Sequence, residues 1–235
     1  MTALLVGLTL AVECRFDLSA ADKEINGSAT AAGRIVFQDQ FAAKLGEGWT
    51  FRREHKESWR VTPRGLEVLV EPGNMWGPQN DARNVLIRAA PEAGQGAVEV
   101  AVTVENNPTN QYEQTDLVWY YDDSNMVKVG QELVDGKLSV VMGREENDRT
   151  RTVSITPLES TIVRLRLTVK GNRIFGSYQI PGAKIWNNVG MCDVLAGEPP
   201  RGQPKISLQF YQGAQGENHW ARVTGFQVTV LSANP

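Results

Sequence analysis

Apolar and polar residues alternate in short runs along the chain from residue 34 onward, and Gly, Pro, Asn and Asp separate the runs. A period of two places every second side chain on the same face of a strand, whereas a helix needs a period of about 3.6. No long segment has the helical period. The pattern predicts strands over residues 35–41, 49–53, 59–62, 66–71, 84–89, 97–105, 115–122, 126–133, 138–143, 149–155, 162–170, 173–180, 205–211 and 221–231. Short strands at this spacing predict an all-β protein, either a sandwich or a barrel.

Turn signals and similar end segments predict how the strands connect. Asp135-Gly136 and Gly171-Asn172 each separate two alternating runs by two residues, which is typical of antiparallel hairpins. The first strand, with VFQDQF, and the last, with GFQVTV, have similar patterns. We therefore expect antiparallel sheets in which the two ends of this region pair side by side.

The segment QYEQTDLVWYYDDSNMVKVGQELVDG, residues 111–136, is a hairpin with one apolar and one polar face. Its turn lies at residues 122–125, where Asp, Ser and Asn favour chain reversal. The apolar face suits a core and carries Thr115, Leu117, Trp119, Tyr121, Val127 and Val129. The opposite face carries two carboxylates, an amide, an ammonium and a phenol, from Gln114, Asp116, Tyr120, Lys128 and Glu132. A sheet does not need this much polar chemistry for solubility.

Composition excludes several classes of function. The chain has 235 residues and a net charge of -3, with acidic and basic residues interspersed, so it lacks the basic stripe that nucleic-acid binding requires. No linker divides it, which favours one domain. Cys14 and Cys192 lie far apart without Cys or His companions, which argues against zinc or a disulfide-rich scaffold. The residues themselves predict no cofactor.

The first residues have two interpretations. The apolar run at residues 2–12 has the length of a signal-peptide hydrophobic region and is too short to span a bilayer, but it lacks a basic flank. Alternatively, apolar residues at the even positions 4–18 form a strand. Residues 1–33 are therefore a signal-like segment or extra strand plus a connector, and residues 34–235 are the main domain. We expect a secreted or periplasmic protein without a membrane span, with a cytoplasmic location as the alternative.

Several motifs resemble a known family. They are FQDQF, the pair Gly48-Trp49, GLEVLVEPG, MWGPQNDARNVL, the polar hairpin and a closing Phe-X-Val strand. In this order they are similar to the concanavalin A-like domains at the carboxy end of β-xylosidases, and to stand-alone regulation-of-enolase-type proteins of unknown activity. The resemblance covers residues 34–231.

The resemblance implies a jelly-roll sandwich of two curved antiparallel sheets, whose concave face is the usual carbohydrate-binding surface. The polar hairpin would line that face. It also makes Asp39 a candidate ligand for a structural calcium ion. Asp116 stands where the family commonly has glycine, and the E-x-D-x-x-E motif of the superfamily's retaining glucanases is absent. The catalytic mechanism of those glucanases, which uses this motif, is therefore excluded.

The polar hairpin face has three interpretations. Its side chains bind sugar hydroxyls, or Asp116 and Glu132 act as a general acid/base pair, since glycoside hydrolysis commonly uses two carboxylates. The third interpretation is a solvated face on which charges pair, for instance Lys128 with Asp116. Gln209 and Tyr211 alternate outward in their own strand and would extend the polar face.

Two loops add candidates. Trp76, in the Gly/Pro/Asn loop at residues 74–81, is either a platform for a sugar ring or a plug at the sandwich edge. Asn84 would point its amide to the same face, provided that Val85 and Ile87 face the core. His219 follows Glu217 closely, in a pattern suited to proton transfer or a metal, or is simply an exposed loop residue. A metal site would follow if Glu54 and His55 folded beside this pair.

The sequence thus predicts a carbohydrate-binding domain that recognises a polysaccharide or oligosaccharide on its concave face. One alternative is a polysaccharide-active hydrolase or lyase that uses Asp116 and Glu132. Another is a protein-interaction domain.

Overall fold

The alternating runs form strands in the computed structural model, which describes residues 33–195 and 202–233. The predicted signal-like segment lies outside the described residues. Besides strands, the described residues contain a short 3-10 turn at Lys56–Ser58, and no helix among them is long and apolar enough to cross a membrane. Each predicted strand is present, and its ends differ from the prediction by a few residues at most.

Two antiparallel sheets pack face to face. The eight-stranded sheet contains β1 (Gly33–Asp39), β3 (Trp59–Thr62), β4 (Gly65–Leu69), β6 (Ala97–Glu105), β11 (Ile162–Lys170), β12 (Arg173–Gln179), β13 (Asn187–Asp193) and β15 (Trp220–Leu231). The seven-stranded sheet contains β2 (Thr50–Arg52), β5 (Val85–Ala89), β7 (Gln114–Asp122), β8 (Asn125–Val134), β9 (Lys137–Glu146), β10 (Arg149–Pro157) and β14 (Lys205–Tyr211). The first sheet has the order β13-β12-β11-β6-β15-β4-β3, with β1 also on β15, and the second has the order β10-β9-β8-β7-β14-β5-β2. This is the predicted sandwich.

The core lies between the two sheets and is built from the inward side chains of both. Val102 and Leu165 from the first sheet, and Leu117 and Val129 from the second, are completely buried in it. Each such side chain contributes roughly 1.5–3 kcal/mol relative to an exposed one. Trp119, which the sequence places on the apolar face of the hairpin, and Phe226 lie in this core, and Trp49 and Trp59 pack against it.

Turn chemistry sets the hairpin registers. Asp135 and Gly136 have φ values of 50° and 72°, the left-handed conformation that a two-residue turn between β8 and β9 requires. The two ends of the region also pair as predicted, because β1 runs antiparallel to β15 with Phe37 opposite Val228.

Strand β13 was not predicted. Its sequence NNVGMCD lacks a β-branched run, and only Val189 and Cys192 in it are buried. It forms because it pairs along β12, where Cys192 lies opposite Ile174. Cys192 is a buried free thiol, and burial raises its pKa to about 11.

The outer face of the seven-stranded sheet, turned away from the other sheet, carries a second apolar cluster. Val85 and Ile87 belong to it, so they do not face the core between the sheets, and Leu86 between them is the core residue. The loop before β5 covers this face, since Met75 and Ala82 from that loop are buried in the cluster. The other members are Val118, Tyr120, Met126 and Tyr211, with Trp76 packed against them.

Candidate functional site

Strand register brings most of the predicted polar side chains together on the outer face. Gln114 in β7 lies opposite Glu132 in β8 and Tyr211 in β14, and Asp116 lies opposite Gln209. Lys128 is two residues before Gly130 in β8, and Gly130 lies opposite Asp116. We call this group, Gln114, Asp116, Lys128, Glu132, Gln209 and Tyr211, the polar patch.

The polar patch is buried. Asp116 has no exposed surface, Lys128 is 2% exposed and Glu132 is 7% exposed. The face is therefore not solvated, although Lys128 pairs with Asp116 as that interpretation expected. Burying three charged side chains costs free energy unless they are paired with one another.

Lys128 provides the pairing. Its Nζ lies 3.1 Å from Glu132 Oε2 and 3.5 Å from Asp116 Oδ2, and it donates a hydrogen bond to Gln114 Oε1. It also lies 4.9 Å from the centre of the Trp76 ring, within reach of a cation–π interaction. Burial acts to lower the pKa of Lys128, but Asp116 and Glu132 outweigh it and hold the pKa above its usual value. The ammonium is thus charged and shared by two carboxylates.

Several atoms of the polar patch have hydrogen-bonding capacity to spare. Neither polar atom of the Gln209 amide has a hydrogen-bond partner, whereas the Asp116 carboxylate interacts with the Lys128 ammonium and the Tyr211 hydroxyl without a well-formed hydrogen bond to either. Burial raises the pKa of Asp116 to about 6, although Lys128 opposes the shift. Buried polar atoms in proteins nearly always have partners, so such a concentration of exceptions marks a place suited to a polar ligand.

Two glycines make room for the site. A Cβ atom at Gly130 would overlap Asp116 Oδ1, so the carboxylate at position 116 depends on glycine across the strand pair. A Cβ at Gly143 would lie 2.5 Å from Trp76 Cη2, so the indole lies directly over the β9 backbone there. The sequence prediction missed both roles, because a glycine inside a strand does not reveal which side chain occupies its space.

Trp76 covers the polar patch and is partly buried. The amide of Asn74 fixes its backbone through two hydrogen bonds of 2.9 Å, and Gly77 N–H donates to Glu145 Oε2 at 3.1 Å. Trp76 therefore lies over the sheet surface and not at the sandwich edge.

Glu145 is a further site residue, and it was not predicted. It has no exposed surface, and burial raises its pKa to about 7 although the Gly77 N–H opposes the shift. The predicted strand ended at residue 143, but β9 continues to Glu146. Extending the alternation by two residues would have placed Glu145 on the outer face.

Two predicted residues lie apart from the polar patch. The Tyr120 hydroxyl donates to Asp123 Oδ1 at 2.6 Å within the second apolar cluster. The Asn84 amide is bound to the backbone of His55, at 2.8 Å and 3.1 Å. The condition for Asn84 to face the patch, that Val85 and Ile87 point inward, is not met.

His219 pairs with a residue that was not predicted. Its Nδ1 lies 2.5 Å from Oε1 of the fully buried Glu113, whereas Glu217 accepts from the Thr109 hydroxyl at 3.1 Å. His55 instead contacts Glu71, at 2.8 Å. Across residues 33–195 and 202–233, no three His, Cys, Asp or Glu side chains are grouped to hold a metal ion.

The Asp39 carboxylate is bound by three N–H groups. They come from the backbone of Phe41 at 2.8 Å and Gly46 at 2.7 Å, and from the Trp49 indole at 3.1 Å. The loop after β1 therefore folds around the Asp39 carboxylate. The three groups that bind it are N–H donors, and none of them is an oxygen ligand for a cation. The calcium site implied by resemblance stays a prediction.

Comparisons with known proteins agree with this architecture. The model of the beta xylosidase C-terminal concanavalin A-like domain family matches residues 38–198. The GH43 protein BlXynB from Bacillus licheniformis is similar with a TM-score of 0.72 at 18% identity, over 82% of this chain and 39% of that chain. A xylan β-1,4-xylosidase from Bacillus halodurans C-125 gives 0.69 at 18% identity, over 81% and 38%. A functionally unknown protein from Saccharomyces cerevisiae gives 0.61 at 13% identity, over 79% and 98%.

At these identities the structural likeness shows the fold alone. This chain spans about two fifths of the length of the two bacillar proteins. No curated protein sequence matches it. The concanavalin A-like sandwich predicted from the sequence is confirmed.

Proposed function

The chain belongs to the family of β-xylosidase C-terminal concanavalin A-like domains, and from this membership and the polar patch we propose that it binds a carbohydrate on the outer face of the seven-stranded sheet. The observation that carries the proposal is the buried Gln209 amide, which has no hydrogen-bond partner, beside Asp116 and Tyr211, whose polar atoms keep unused hydrogen-bonding capacity. Sugar hydroxyls both donate and accept hydrogen bonds, so they suit a surface that offers both kinds of atom.

Access to the polar patch is from the Glu132 side. The Glu132 side chain is 10% exposed, against 2% for Lys128 and none for Asp116. A sugar entering there meets Glu132 and Gln114 first and stacks on Trp76, whose ring supplies the apolar surface. The deeper atoms become accessible when the loop at residues 74–81 moves outward with Trp76.

Binding fits the geometry better than hydrolysis does. Cleavage by two carboxylates requires both to face the scissile bond from opposite sides. Here Asp116 and Glu132 share the ammonium of Lys128, and Asp116 is fully buried. The mixture of one cation and two anions suits a neutral or modified glycan better than a polyanion.

A glycan array followed by titration calorimetry tests the proposal, with xylo-oligosaccharides as the first probe because two similar structures are GH43 proteins. Gln114→Ala, Glu132→Gln and Trp76→Ala should each weaken binding by about 10-fold or more, the loss expected for one hydrogen bond to a charged group or one stacking contact. Trp186→Ala is the matched control. That ring lies outside the polar patch and stacks against Arg166, whose Cζ is 4.1 Å from the ring centre. Unchanged affinity in both Gln114→Ala and Glu132→Gln would contradict the proposal that the polar patch binds the carbohydrate.

A further inference from the structure

A second pocket lies at the β9–β10 hairpin, outside the polar patch. Its volume is about 500 Å³, within the range of small-molecule sites. Arg144 lies between Gly143 and Glu145, which belong to the outer face. Its side chain therefore points to the opposite face of the seven-stranded sheet. The pocket is lined by Arg144, Glu146, Asn147, Arg149, Thr150 and Arg151.

The lining concentrates positive charge. Arg151 in β10 lies directly opposite Arg144 in β9, and like charges in that position destabilise a sheet. Glu146 offsets one of them, since its carboxylate lies 2.9 Å from Arg144 Nη2. Three arginines and one glutamate leave the pocket with a formal charge of +2, in a chain whose net charge is -3.

Within the part of the chain that the structure describes, the two arginines of β10 have no carboxylate partner, because no Asp or Glu oxygen lies within ion-pair distance of Arg149 or Arg151. The acid of the nearby turn, Asp148, accepts a hydrogen bond from Asn80 at 3.2 Å. Both arginines are exposed on the edge strand of the seven-stranded sheet, where a ligand reaches them without any rearrangement.

Arg144, in contrast, is held in place. It donates to the backbone carbonyl of Asp193 at 3.1 Å as well as contacting Glu146. The pocket thus combines one fixed guanidinium with two that have no ion-pair partner among the described residues. Planar guanidinium groups bind oxyanions through paired hydrogen bonds, and Thr150 adds a hydroxyl beside them.

We propose that this pocket binds the carboxylate of an acidic sugar, so that the protein recognises a glycan carrying uronic acid residues. The inference deepens the proposed function and rests on it for the choice of a sugar as the source of the anion. The pocket lies at the edge of the same sheet but on the side opposite the polar patch, so it forms a separate subsite for the charged residue, while the polar patch takes a neutral part of the glycan. A carboxylate on a sugar ring fits both the charge and the volume of the pocket.

Calorimetry on the full chain tests this inference with four probes: a xylo-oligosaccharide bearing glucuronic acid, the matched neutral oligosaccharide, free glucuronate and inorganic phosphate. Arg149→Gln/Arg151→Gln should weaken binding of the acidic oligosaccharide by about 10- to 100-fold, the loss of two charge-assisted contacts. The same variant should leave the affinity for the neutral oligosaccharide unchanged. Added salt should weaken binding of the acidic oligosaccharide more than binding of the neutral one. Arg34→Gln/Arg64→Gln, which removes two exposed arginines elsewhere, is the control and should bind like the unaltered protein.

The outcomes separate the two proposals. If the neutral and acidic oligosaccharides bind equally well, and Gln114→Ala weakens both, the pocket inference is overturned while the proposed function stands. If phosphate binds the pocket and glucuronate does not, the uronate assignment is also overturned. If glucuronate binds and is lost in Arg149→Gln/Arg151→Gln while the neutral oligosaccharide never binds, the pocket is supported and the polar-patch proposal fails.

Discussion

At the residue scale, positions 116 and 130 act as one unit. The Asp116 carboxylate occupies the space that a side chain at position 130 would need, and Lys128 balances its charge from the same strand as Gly130. An aspartate at position 116 is therefore compatible with this sheet only when glycine lies opposite. Asp116 and Gly130 lie in different strands and are directly opposite each other in the sheet.

Gly130→Ala should lower the free energy of unfolding by about 1–3 kcal/mol, the usual cost of overpacking. The new methyl group would displace the Asp116 carboxylate from Lys128 and would also lie 3.0 Å from the Thr115 carbonyl oxygen. Urea unfolding measures the change. Gly176→Ala is the matched control, because there the nearest atom is the flexible Met142 sulfur at 3.0 Å. Equal effects of the two substitutions would contradict the pairing of positions 116 and 130.

The pKa of Asp116 gives a pH dependence with a definite sign. Its folded value of about 6 lies above the ordinary 3.8, so the folded state binds the proton more tightly than the unfolded state. Stability from this group is complete below about pH 4 and is lost as the pH rises through 6, by about 2–3 kcal/mol in total. In Asp116→Asn the decline in stability between pH 4 and 7 should become smaller by this amount when unfolding is measured at each pH, and the part that remains comes from Glu145, whose pKa burial raises to about 7. The exposed Glu159→Gln should keep the full decline, and an undiminished decline in Asp116→Asn would assign the effect to another group.

At the element scale, the loop at residues 74–81 decides whether the outer face is open or closed. It contributes Met75 and Trp76 to the cover, and it is attached to the sheet through the Gly77–Glu145 hydrogen bond. Arg53 supports its end by donating to the Ala82 carbonyl at 2.6 Å. Asn80 also donates to Asp148 at 3.2 Å, so several polar contacts hold the loop over the buried polar atoms.

Glu145→Ala should loosen this loop without unfolding the sandwich. Losing the acceptor of the Gly77 N–H should speed hydrogen exchange at Gly77 by about 10-fold or more, equivalent to about 1.4 kcal/mol. Glu145→Gln retains an oxygen acceptor and should exchange like the unaltered protein. Amides of the central strand β6 serve as the internal reference. A comparable acceleration at β6 would mean general destabilisation and would contradict a local role.

At the scale of the whole molecule, the two ends of the described region meet in one sheet. Strand β15 pairs with β6, β4 and β1, and Val223, Phe226 and Val228 from it are buried in the core. The sandwich therefore closes only after nearly the whole region has been assembled. Such non-local pairing is typical of slow-folding β-proteins.

A chain that ends before Trp220 should fail to fold. It would lack β15 and leave two neighbouring strands, β4 and β6, without a shared partner. Near-ultraviolet circular dichroism and thermal unfolding should show no cooperative transition. A chain that ends at Leu231 keeps the strand and should unfold cooperatively. A cooperative transition in the shorter chain would show that β15 is dispensable.

The sequence by itself determined every described strand except β13, the hairpins at residues 135–136 and 171–172, and the side chains that share a face. Alternation along β7 and β8 placed Gln114, Asp116, Lys128 and Glu132 on one surface, because a pleated strand has a period of two whatever surrounds it. Turn residues such as Asp135-Gly136 then fixed the register locally.

Only the tertiary structure decided that this surface is buried. The loop that covers it, including Trp76, lies before β5 in the sequence, and its placement depends on packing between distant segments. The same reason applies to Glu145 at the polar patch, to Glu113 beside His219, and to the meeting of Arg144 with Arg151. Periodicity reports the neighbours of a residue within its own strand, whereas burial, charge pairing and pockets depend on which strands and loops become neighbours in space.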